Sequence, residues 1–181
     1  ETLRQNGLKV LLTREPGGTA LAENLRKVLL ESNVSAPAEL LLFGAARAQH
    51  VAEVIRPALQ ESTFVLSDRF ADSSLAYQGG GLGISREFIE SMNQFACDGL
   101  QPDLTFLLDI DPLAGNKRQQ LNHQKADAIE ARGLGFLERV RQAYLQIALN
   151  APERIITINA ARDVDAVQCD IVAALRQRSV L

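Results

Sequence analysis

The chain has 181 residues, of which 46% are hydrophobic and 23% charged, and its formal net charge is −3. This composition suits one globular domain, because a chain of this size buries about 70% of the surface that it would expose when unfolded. The negative charge gives no positive field to attract nucleic acid, and no apolar run approaches the roughly 18 residues that a membrane span needs. We therefore expect a single soluble domain over residues 1–181 that binds neither nucleic acid nor membranes.

The two cysteines, Cys97 and Cys169, lie far apart and have neither a CxxC spacing nor a histidine cluster around them. That pattern argues against a metal site and against a disulfide framework. Unpaired cysteines are typical of a reducing compartment, so we expect a cytoplasmic protein.

Four short apolar runs are candidates for strands. They are too continuous for strands that keep one face in water, so they predict buried parallel strands. The runs are Lys9–Thr13, Phe64–Ser67, Leu104–Asp109 and Ile155–Ile158. Ahead of them, Glu1–Asn6 has the character of a helix end closed by Gly7, so we expect the chain to begin within an element.

Apolar residues at helical spacing separate these runs. The expected helices lie within residues 21–29, 41–59, 88–95 and 136–145, and a last one runs from Arg162 or Asp163 to about Arg178. Pro57 falls inside such a pattern and should kink or end its helix near Ile55–Arg56. The alternation predicts an α/β fold, a doubly wound parallel sheet covered by helices on both faces.

Polar residues directly follow two of the strands, at the positions where open α/β sheets bind ligands. Thr13–Thr19 contains one proline and two glycines and sets Glu15 at the mouth of the sheet, and the second strand is followed by Asp68 and Arg69. An arginine fork binds phosphate through two hydrogen bonds, and an aspartate can hold magnesium or its waters or accept a proton. The pair therefore suits phosphoryl transfer, and a surface ion pair or a helix cap is the alternative.

Two further stretches are candidates for loops. The triple glycine Gly79–Gly81 resembles a phosphate-binding loop, but it follows a helical segment and lacks the Gly-Lys-Ser/Thr ending, so we interpret it as a flexible turn. The most polar stretch, Lys117–Lys125, lies between two helical segments and is a candidate for a mobile lid. A solvated loop is the alternative for this stretch.

Phe43 and Arg47 are four residues apart on an expected helix and should project from one face. Together they offer an aromatic plate beside a hydrogen-bonding fork, which can hold a flat nucleobase. The alternative is a core phenylalanine and a surface arginine.

Four blocks of sequence, in their order and spacing, resemble bacterial thymidylate kinase. The blocks are Thr13–Thr19, Leu42–Arg47, Ser67–Gly79 and Pro102–Thr105, and the third is the most specific. The resemblance extends from Glu1 to about Ala174. It implies the fold of the P-loop nucleoside monophosphate kinases and transfer of the γ-phosphoryl group of ATP to dTMP, with magnesium, giving dTDP and ADP.

The resemblance also implies roles for single residues at the nucleoside. Phe43 is expected to stack on thymine and Arg47 to reach an exocyclic oxygen of the base. Ser74 and Gln78 are expected to bond its other polar edges. Tyr77 matches the position that crowds the 2′ side of the sugar and so favours deoxyribose over ribose.

At the phosphate, Arg26 and Arg69 match the arginines that grip the 5′-phosphate of dTMP. Asp68 matches the acid near magnesium, which it would bind directly or through water, and Glu15 lies beside the arginines. We expect Asp68, Arg69 and Glu15 to be the catalytic residues, because phosphoryl transfer depends on positioning and charge neutralisation.

Two features depart from the family pattern. The family's first strand and its Gly-x-x-Gly-x-Gly-Lys-Thr/Ser loop have no counterpart among the 181 residues, so we expect them to lie before Glu1 and expect no transfer without that loop. In the candidate lid, residues 117–132, Ala128 replaces an arginine of the family. The cations near it are Arg118, Lys125 and Arg132, and a lysine does not replace an arginine at a bidentate site.

Two other functions stay open on these observations. One is a degenerate relative that binds dTMP or a partner without catalysis, and the other is a kinase for a different nucleotide. The resemblance further implies a homodimer packed through helices, although the core explains the same apolar faces equally well.

Overall fold

The structure is a computed structural model that describes residues 1–121 and 128–181. Its helices are α1 (Thr2–Gln5), α2 (Ala20–Glu31), α3 (Ala36–His50), α4 (Arg56–Gln60), α5 (Ala71–Ser74), α6 (Arg86–Ala96), α7 (Pro112–Leu121), α8 (Leu134–Asn150) and α9 (Val164–Gln177). Its strands are β1 (Val10–Arg14), β2 (Phe64–Asp68), β3 (Thr105–Asp109) and β4 (Ile155–Asn159). The four predicted strands are confirmed to within one residue at each end.

Side-chain caps fix the start of several helices, among them α2 and α9. The side-chain oxygens of Thr19 and Asp163 accept from the backbone N–H groups of Ala22 at 3.1 Å and Ala166 at 2.8 Å. Such an acceptor pairs one of the donors that a helix start leaves free. The predicted start of the last helix at Asp163 is confirmed, and the turn after β1 leads directly into α2.

The strands pair in parallel, as predicted. Arg14 at the end of β1 lies opposite Asp68 at the end of β2, and Asp109 at the end of β3 lies opposite Asn159 at the end of β4. The described residues form two separate pairs, because no strand among them joins β2 to β3.

A π-helical turn, Val51–Ile55, separates α3 from α4. Pro57 lies in the first turn of α4, where its fixed φ is compatible with the helix although it supplies no N–H. The interruption predicted near Ile55–Arg56 is therefore confirmed, and its form is a widened turn rather than a plain helix end.

A second π-helical turn, Leu75–Gly81, follows α5 and includes the triple glycine. The prediction of a flexible turn at Gly79–Gly81 is wrong. A Cβ added to Gly80 would overlap the Cβ of Ala143 on α8. Close packing of a helix against this turn is therefore the physical reason for small residues here.

A core cluster lies between α8, the second π-helical turn and β4. Its buried members are Ala76, Ile129, Phe136, Val140, Ile147, Ala148 and Ile155. Some strand residues are not covered: Leu12, Leu66 and Leu108 are 62%, 39% and 50% exposed. Within the described ranges, no helix has the length and hydropathy to cross a bilayer.

Candidate active site

The carboxyl ends of β1 and β2 bring the two strand-end motifs together. The backbone N–H of Glu15 donates to the carbonyl oxygen of Asp68 at 2.9 Å. Gly17 and Gly18 follow with φ of +152° and +84°, a region of backbone conformation that favours glycine. The Glu15 side chain is buried at 5% exposure, whereas Asp68 remains exposed.

Arg47 on α3 is the centre of a buried polar network. Its side chain is 2% exposed, and four groups accept hydrogen bonds from its guanidinium. The bonds run from Nε to Glu15 Oε2 (2.8 Å), from Nη1 to Ser74 Oγ (3.0 Å) and Asn93 Oδ1 (2.7 Å), and from Nη2 to the Phe70 carbonyl (3.3 Å). Because the ion pair with Glu15 is desolvated, each charge depends on the other for compensation.

His50, also on α3, continues this network on the far side of Glu15. Its Nδ1 lies 3.1 Å from Glu15 Oε1, and its Nε2 lies 2.6 Å from the hydroxyl of Thr13 on β1. The imidazole is fully buried. Glu15 is thus bound through one oxygen by Arg47 and through the other by His50.

Asn93 and His50 are site residues that the sequence analysis missed. Asn93 lies with Ile89 and Ala96 on the buried face of α6, and its Nδ2 donates to the carbonyl of Ala71 at 3.1 Å. A polar residue at a position where helical spacing predicts an apolar one is the signal that marks both residues.

Gln78 lies in a second buried cluster beside the first. Its Nε2 donates to Glu39 Oε1 at 2.8 Å, and both side chains are at most 2% exposed. Arg132, which ends a short 3₁₀ turn, forms an ion pair with the same Glu39 carboxylate. The guanidinium of Arg132 also lies 5.2 Å above the ring centre of Phe136.

Arg69 directly follows β2 and has an unusual backbone. Its φ is +69°, and the hydroxyl of Ser67 donates to its carbonyl oxygen at 2.8 Å, which helps to hold this conformation. Its Nη1 donates to the Tyr77 hydroxyl at 3.2 Å, and its guanidinium lies 5.1 Å from the centre of the Tyr77 ring. Arg69 is exposed and therefore accessible to a ligand.

Arg26 on α2 is the second arginine near the strand ends. It is partly buried, and its Nη1 donates to the carbonyl of Pro16 at 3.2 Å. In the part of the chain that the structure describes, neither Arg26 nor Arg69 forms an ion pair with a carboxylate. Both are cations with donors left to bind an anion.

Phe43 and Tyr77 are partly buried and pack against the core cluster. The Tyr77 ring centre lies 6.2 Å from that of Phe136 and 6.1 Å from that of Tyr144, which it meets edge to face. Burial raises the pKa of Tyr144 to about 12, so its hydroxyl stays protonated and donates to Ser73 Oγ at 2.7 Å. Tyr77 is therefore held on two sides by aromatic rings.

The candidate lid lies only partly within the described residues. Its start, residues 117–121, belongs to α7, and Lys125 lies outside the described ranges. The Arg118 guanidinium donates to the carbonyls of Ala160, Ala161 and Arg162, directly after β4. Ala128 is exposed. The roles assigned to the lid residues stay predictions.

Asp68 is suited to hold magnesium. Among the described residues, its carboxylate has no hydrogen bond or ion pair, and no group of three or more His, Cys, Asp or Glu side chains could enclose a metal ion. Magnesium usually takes one or two carboxylates, with waters and substrate phosphates as its other ligands. A single free carboxylate beside Arg69 fits that arrangement.

Comparison with known proteins places this site in a family. The family model described as thymidylate kinase matches residues 1–171. The chain is 51% identical to a thymidylate kinase from Pseudomonas putida (strain GB-1), over 96% of this chain and 83% of that protein. It is 44% identical to a thymidylate kinase from Pelobacter propionicus, over 98% of this chain and 84% of that protein.

A solved structure shows the same fold. The crystal structure of thymidylate kinase from Ehrlichia chaffeensis superposes with a TM-score of 0.76 at 32% sequence identity. The match covers 92% of this chain and 81% of that one. The α/β fold with parallel strands, predicted from the alternation of elements, is thereby confirmed.

Proposed function

The chain belongs to the thymidylate kinase family, and from that premise we propose which of its residues hold the substrates. A thymidylate kinase transfers the γ-phosphoryl group of ATP to dTMP and so forms dTDP and ADP. This reaction depends on positioning the phosphates and neutralising their charge rather than on covalent chemistry by the protein. The proposal therefore concerns the residues at the base, at the 5′-phosphate and at ATP.

The observation that carries the proposal is the arrangement of donors on Arg47. A guanidinium has five N–H donors, and four of them are bound by buried protein groups. The second proton of Nη2 has no acceptor among the described residues. Thymine carries a carbonyl oxygen where cytosine carries an amino group. A fixed N–H donor of Arg47 here binds the thymine oxygen, whereas with cytosine it would face the amino group, which is also a donor.

The other nucleoside contacts follow from the positions around Arg47. Phe43 precedes Arg47 by one helical turn on α3, which supports its stacking on the base. Ser74 and Gln78 are buried next to the Arg47 network and would bond the remaining polar edges. Tyr77, held by its aromatic neighbours, would contact the 2′ side of the sugar.

The 5′-phosphate is proposed to bind between Arg26 and Arg69, two arginines near the strand ends that form no ion pair with a carboxylate in the described ranges. Charge-assisted bonds from arginine to phosphate are about twice as strong as neutral ones. Glu15 lies behind them and acts through Arg47 rather than on the phosphate, because Arg47 and His50 occupy its carboxylate.

ATP is the phosphate donor, and magnesium is proposed to bind at the carboxylate of Asp68. A magnesium ion there would neutralise the charge of the phosphates that meet at the ends of β1 and β2. The Gly-x-x-Gly-x-Gly-Lys-Thr/Ser loop stays a prediction, as do the contributions of Arg118, Lys125 and Arg132 in the segment 117–132. The family's first strand is likewise proposed to lie beside β2 and β3, because Leu66 on β2 and Leu108 on β3 are exposed and would be covered by a neighbouring strand.

A homodimer through α3 and α6 is also proposed. Phe88 and Phe95 on α6 are 53% and 87% exposed, and Leu41 on the neighbouring α3 is 56% exposed. Exposed large apolar side chains on adjacent helices are typical of an interface between subunits. Sedimentation velocity tests this proposal: Phe95→Ser should shift the dimer to monomer, and a monomeric unchanged protein would contradict it.

A cytoplasmic location is proposed from the cysteines. Cys97 is buried and Cys169 exposed, and both are free. Free thiols persist where the compartment is reducing.

Coupled ADP release tests the function. In the full-length protein that the gene encodes, dTMP should support release, and dUMP, dCMP and dGMP should support less. Arg47→Ala should reduce the preference for dTMP over dCMP by about tenfold or more, since one hydrogen bond from a charged donor is lost. An unchanged preference would contradict the assignment of the base site, and no release with dTMP would contradict the function.

A further inference from the structure

The hydrogen-bonded residues Thr13, His50 and Glu15 adjoin Arg47; His50 is fully buried, Glu15 is 5% exposed and Thr13 is partly buried. We propose that His50 is a positioning residue that keeps one donor of Arg47 available for the base, and that it does so by occupying one oxygen of Glu15. This inference deepens the proposed function and rests on the assignment of Arg47 to thymine. It gives His50 and Thr13 a part in choosing the base, although neither residue contacts it.

With a neutral imidazole, the hydrogen bonds run from Thr13 to His50 and from His50 to Glu15. The carboxylate of Glu15 only accepts, so the His50 Nδ1 donates to Oε1 across 3.1 Å. In a neutral imidazole Nε2 then accepts, and the Thr13 hydroxyl donates to it across 2.6 Å. The carboxylate of Glu15 therefore places the proton on Nδ1, and the Thr13 hydroxyl, which can donate or accept, holds the ring at Nε2.

The two oxygens of Glu15 are divided between two partners. Oε2 accepts from Arg47 Nε at 2.8 Å, and Oε1 accepts from His50. Arginine and carboxylate otherwise favour a fork of two parallel bonds, through Nε and Nη2. Arg141 and Asp109 form that fork in this protein, with distances of 2.7 and 3.0 Å.

Loss of the His50 bond would release Oε1 within reach of the same fork. A buried carboxylate oxygen without a partner is costly, so Glu15 would rotate to accept from Arg47 Nη2 as well. That nitrogen holds the donor proposed to bind thymine. His50 thus preserves a base contact by satisfying the acceptor that would otherwise compete for it.

The surroundings of His50 fix its position. A Cβ added to Gly18 would lie 2.7 Å from His50 Cδ2 and 2.9 Å from Thr13 Oγ1, so the turn after β1 closes over the imidazole. His50 itself has no exposed surface. It therefore cannot touch a nucleotide and acts only through Glu15.

The test measures dissociation constants of dTMP and dCMP by calorimetry on the full-length protein. His50→Leu removes the donor to Glu15 and should lower the ratio of dTMP to dCMP affinity about tenfold. His50→Asn keeps an amide donor near the Nδ1 position and should restore most of that ratio. A purely structural loss would weaken both nucleotides equally and leave the ratio unchanged.

Threonine variants supply a second, milder test. Thr13→Val removes the hydroxyl that orients the imidazole and should lower the ratio about threefold, because a neutral hydrogen bond is weaker than a charged one. Thr13→Ser should leave it unchanged. Thr63→Val is the control, since Thr63 directly precedes β2 and its hydroxyl is outside the network.

The outcomes separate this inference from the proposed function. If Arg47→Ala lowers the ratio while His50→Leu leaves it unchanged, the role of His50 is overturned and the base site stands. If neither variant changes the ratio, the base site itself is overturned. If His50→Leu fails to fold, the other two variants decide. The inference is overturned if Thr13→Val leaves the ratio of dTMP to dCMP affinity unchanged. It is also overturned if His50→Asn does not keep most of that ratio.

Discussion

The base end and the phosphate end of the proposed dTMP site are built differently. At the base end, Arg47, Glu15 and His50 are almost without exposure, and every carboxylate oxygen is paired. At the phosphate end, Arg69 and Asp68 are exposed and Arg69 is held mainly by one tyrosine. A base must be distinguished from similar bases, which requires donors in fixed positions. A phosphate with its counter-ion is instead bound by charged side chains that can change position.

Removing the central charge of the base end should have the largest effect. Arg47→Met leaves the Glu15 carboxylate buried without its counter-charge, so the free energy of unfolding should fall by about 3–5 kcal/mol. Urea unfolding followed by circular dichroism measures this loss. The control is Arg14→Met, which breaks a solvent-exposed ion pair with Glu23 and should cost at most about 1 kcal/mol.

Equal and small losses in the two variants would contradict the comparison. They would mean that the buried pair at the base end contributes no more than an exposed one. A loss confined to Arg47→Met would confirm that the base end depends on burial for its rigidity.

The phosphate end should show the opposite behaviour, with a change in binding rather than in folding. Arg69→Met removes charge-assisted bonds to the phosphate, so the free energy of dTMP binding should weaken by roughly 1.5–3 kcal/mol. Calorimetry with dTMP measures this effect, and thymidine, which lacks the phosphate, should bind equally to both proteins. Arg86→Met, at an exposed arginine paired with Glu90, is the matched control.

A large fall in the unfolding free energy of Arg69→Met would overturn the distinction between the ends. So would equal losses for dTMP and thymidine, since Arg69 would then act on the nucleoside.

Local sequence patterns predicted the strands and helices but not the hydrogen bonds around Arg47. The strands and the cap at Asp163 are encoded within a few residues, so spacing and residue type were sufficient. The bonds of Arg47 to Glu15 and of His50 to Thr13 join residues 32 and 37 positions apart, and no periodicity carries such a pairing. Arg47 was a candidate from its helical spacing to Phe43, and the resemblance to a family favoured that role over a surface position.

His50 and Asn93 were detectable in principle as polar residues on buried helix faces, but their partners were not. The break between the two strand pairs could not be predicted from periodicity alone, because strand order depends on which edges meet. The family resemblance did indicate a strand without a counterpart in these residues. The error at Gly79–Gly81 arose because glycine serves both for turns and for close packing, and only the position of α8 distinguishes these uses.

The turn that joins the two ends offers a smaller test. Gly18→Ala places a Cβ against the His50 ring and also puts alanine at φ +84°. Gly83→Ala carries the same backbone cost at φ +76°, with no atom within 4 Å of the added Cβ. The difference in unfolding free energy between the two variants should be about 1–3 kcal/mol, which isolates the contact with His50. Equal losses of unfolding free energy in the two variants would show that close packing of the turn against His50 does not contribute.

The smallest expected effect concerns Thr63 and tests whether a buried polar group stabilises the fold without a hydrogen-bond partner. Thr63 is 6% exposed, and its hydroxyl has no hydrogen-bond partner among the residues that the structure describes. Thr63→Val replaces that hydroxyl by a methyl group of similar size, so the free energy of unfolding should rise by about 0.5–1 kcal/mol in the same urea experiment. Thr13→Val, whose hydroxyl is bonded to His50, should lower it instead. Opposite signs for one substitution at the buried Thr63 and the partly buried Thr13 would show that the base end is stable because its polar groups are paired. Equal signs would contradict that explanation.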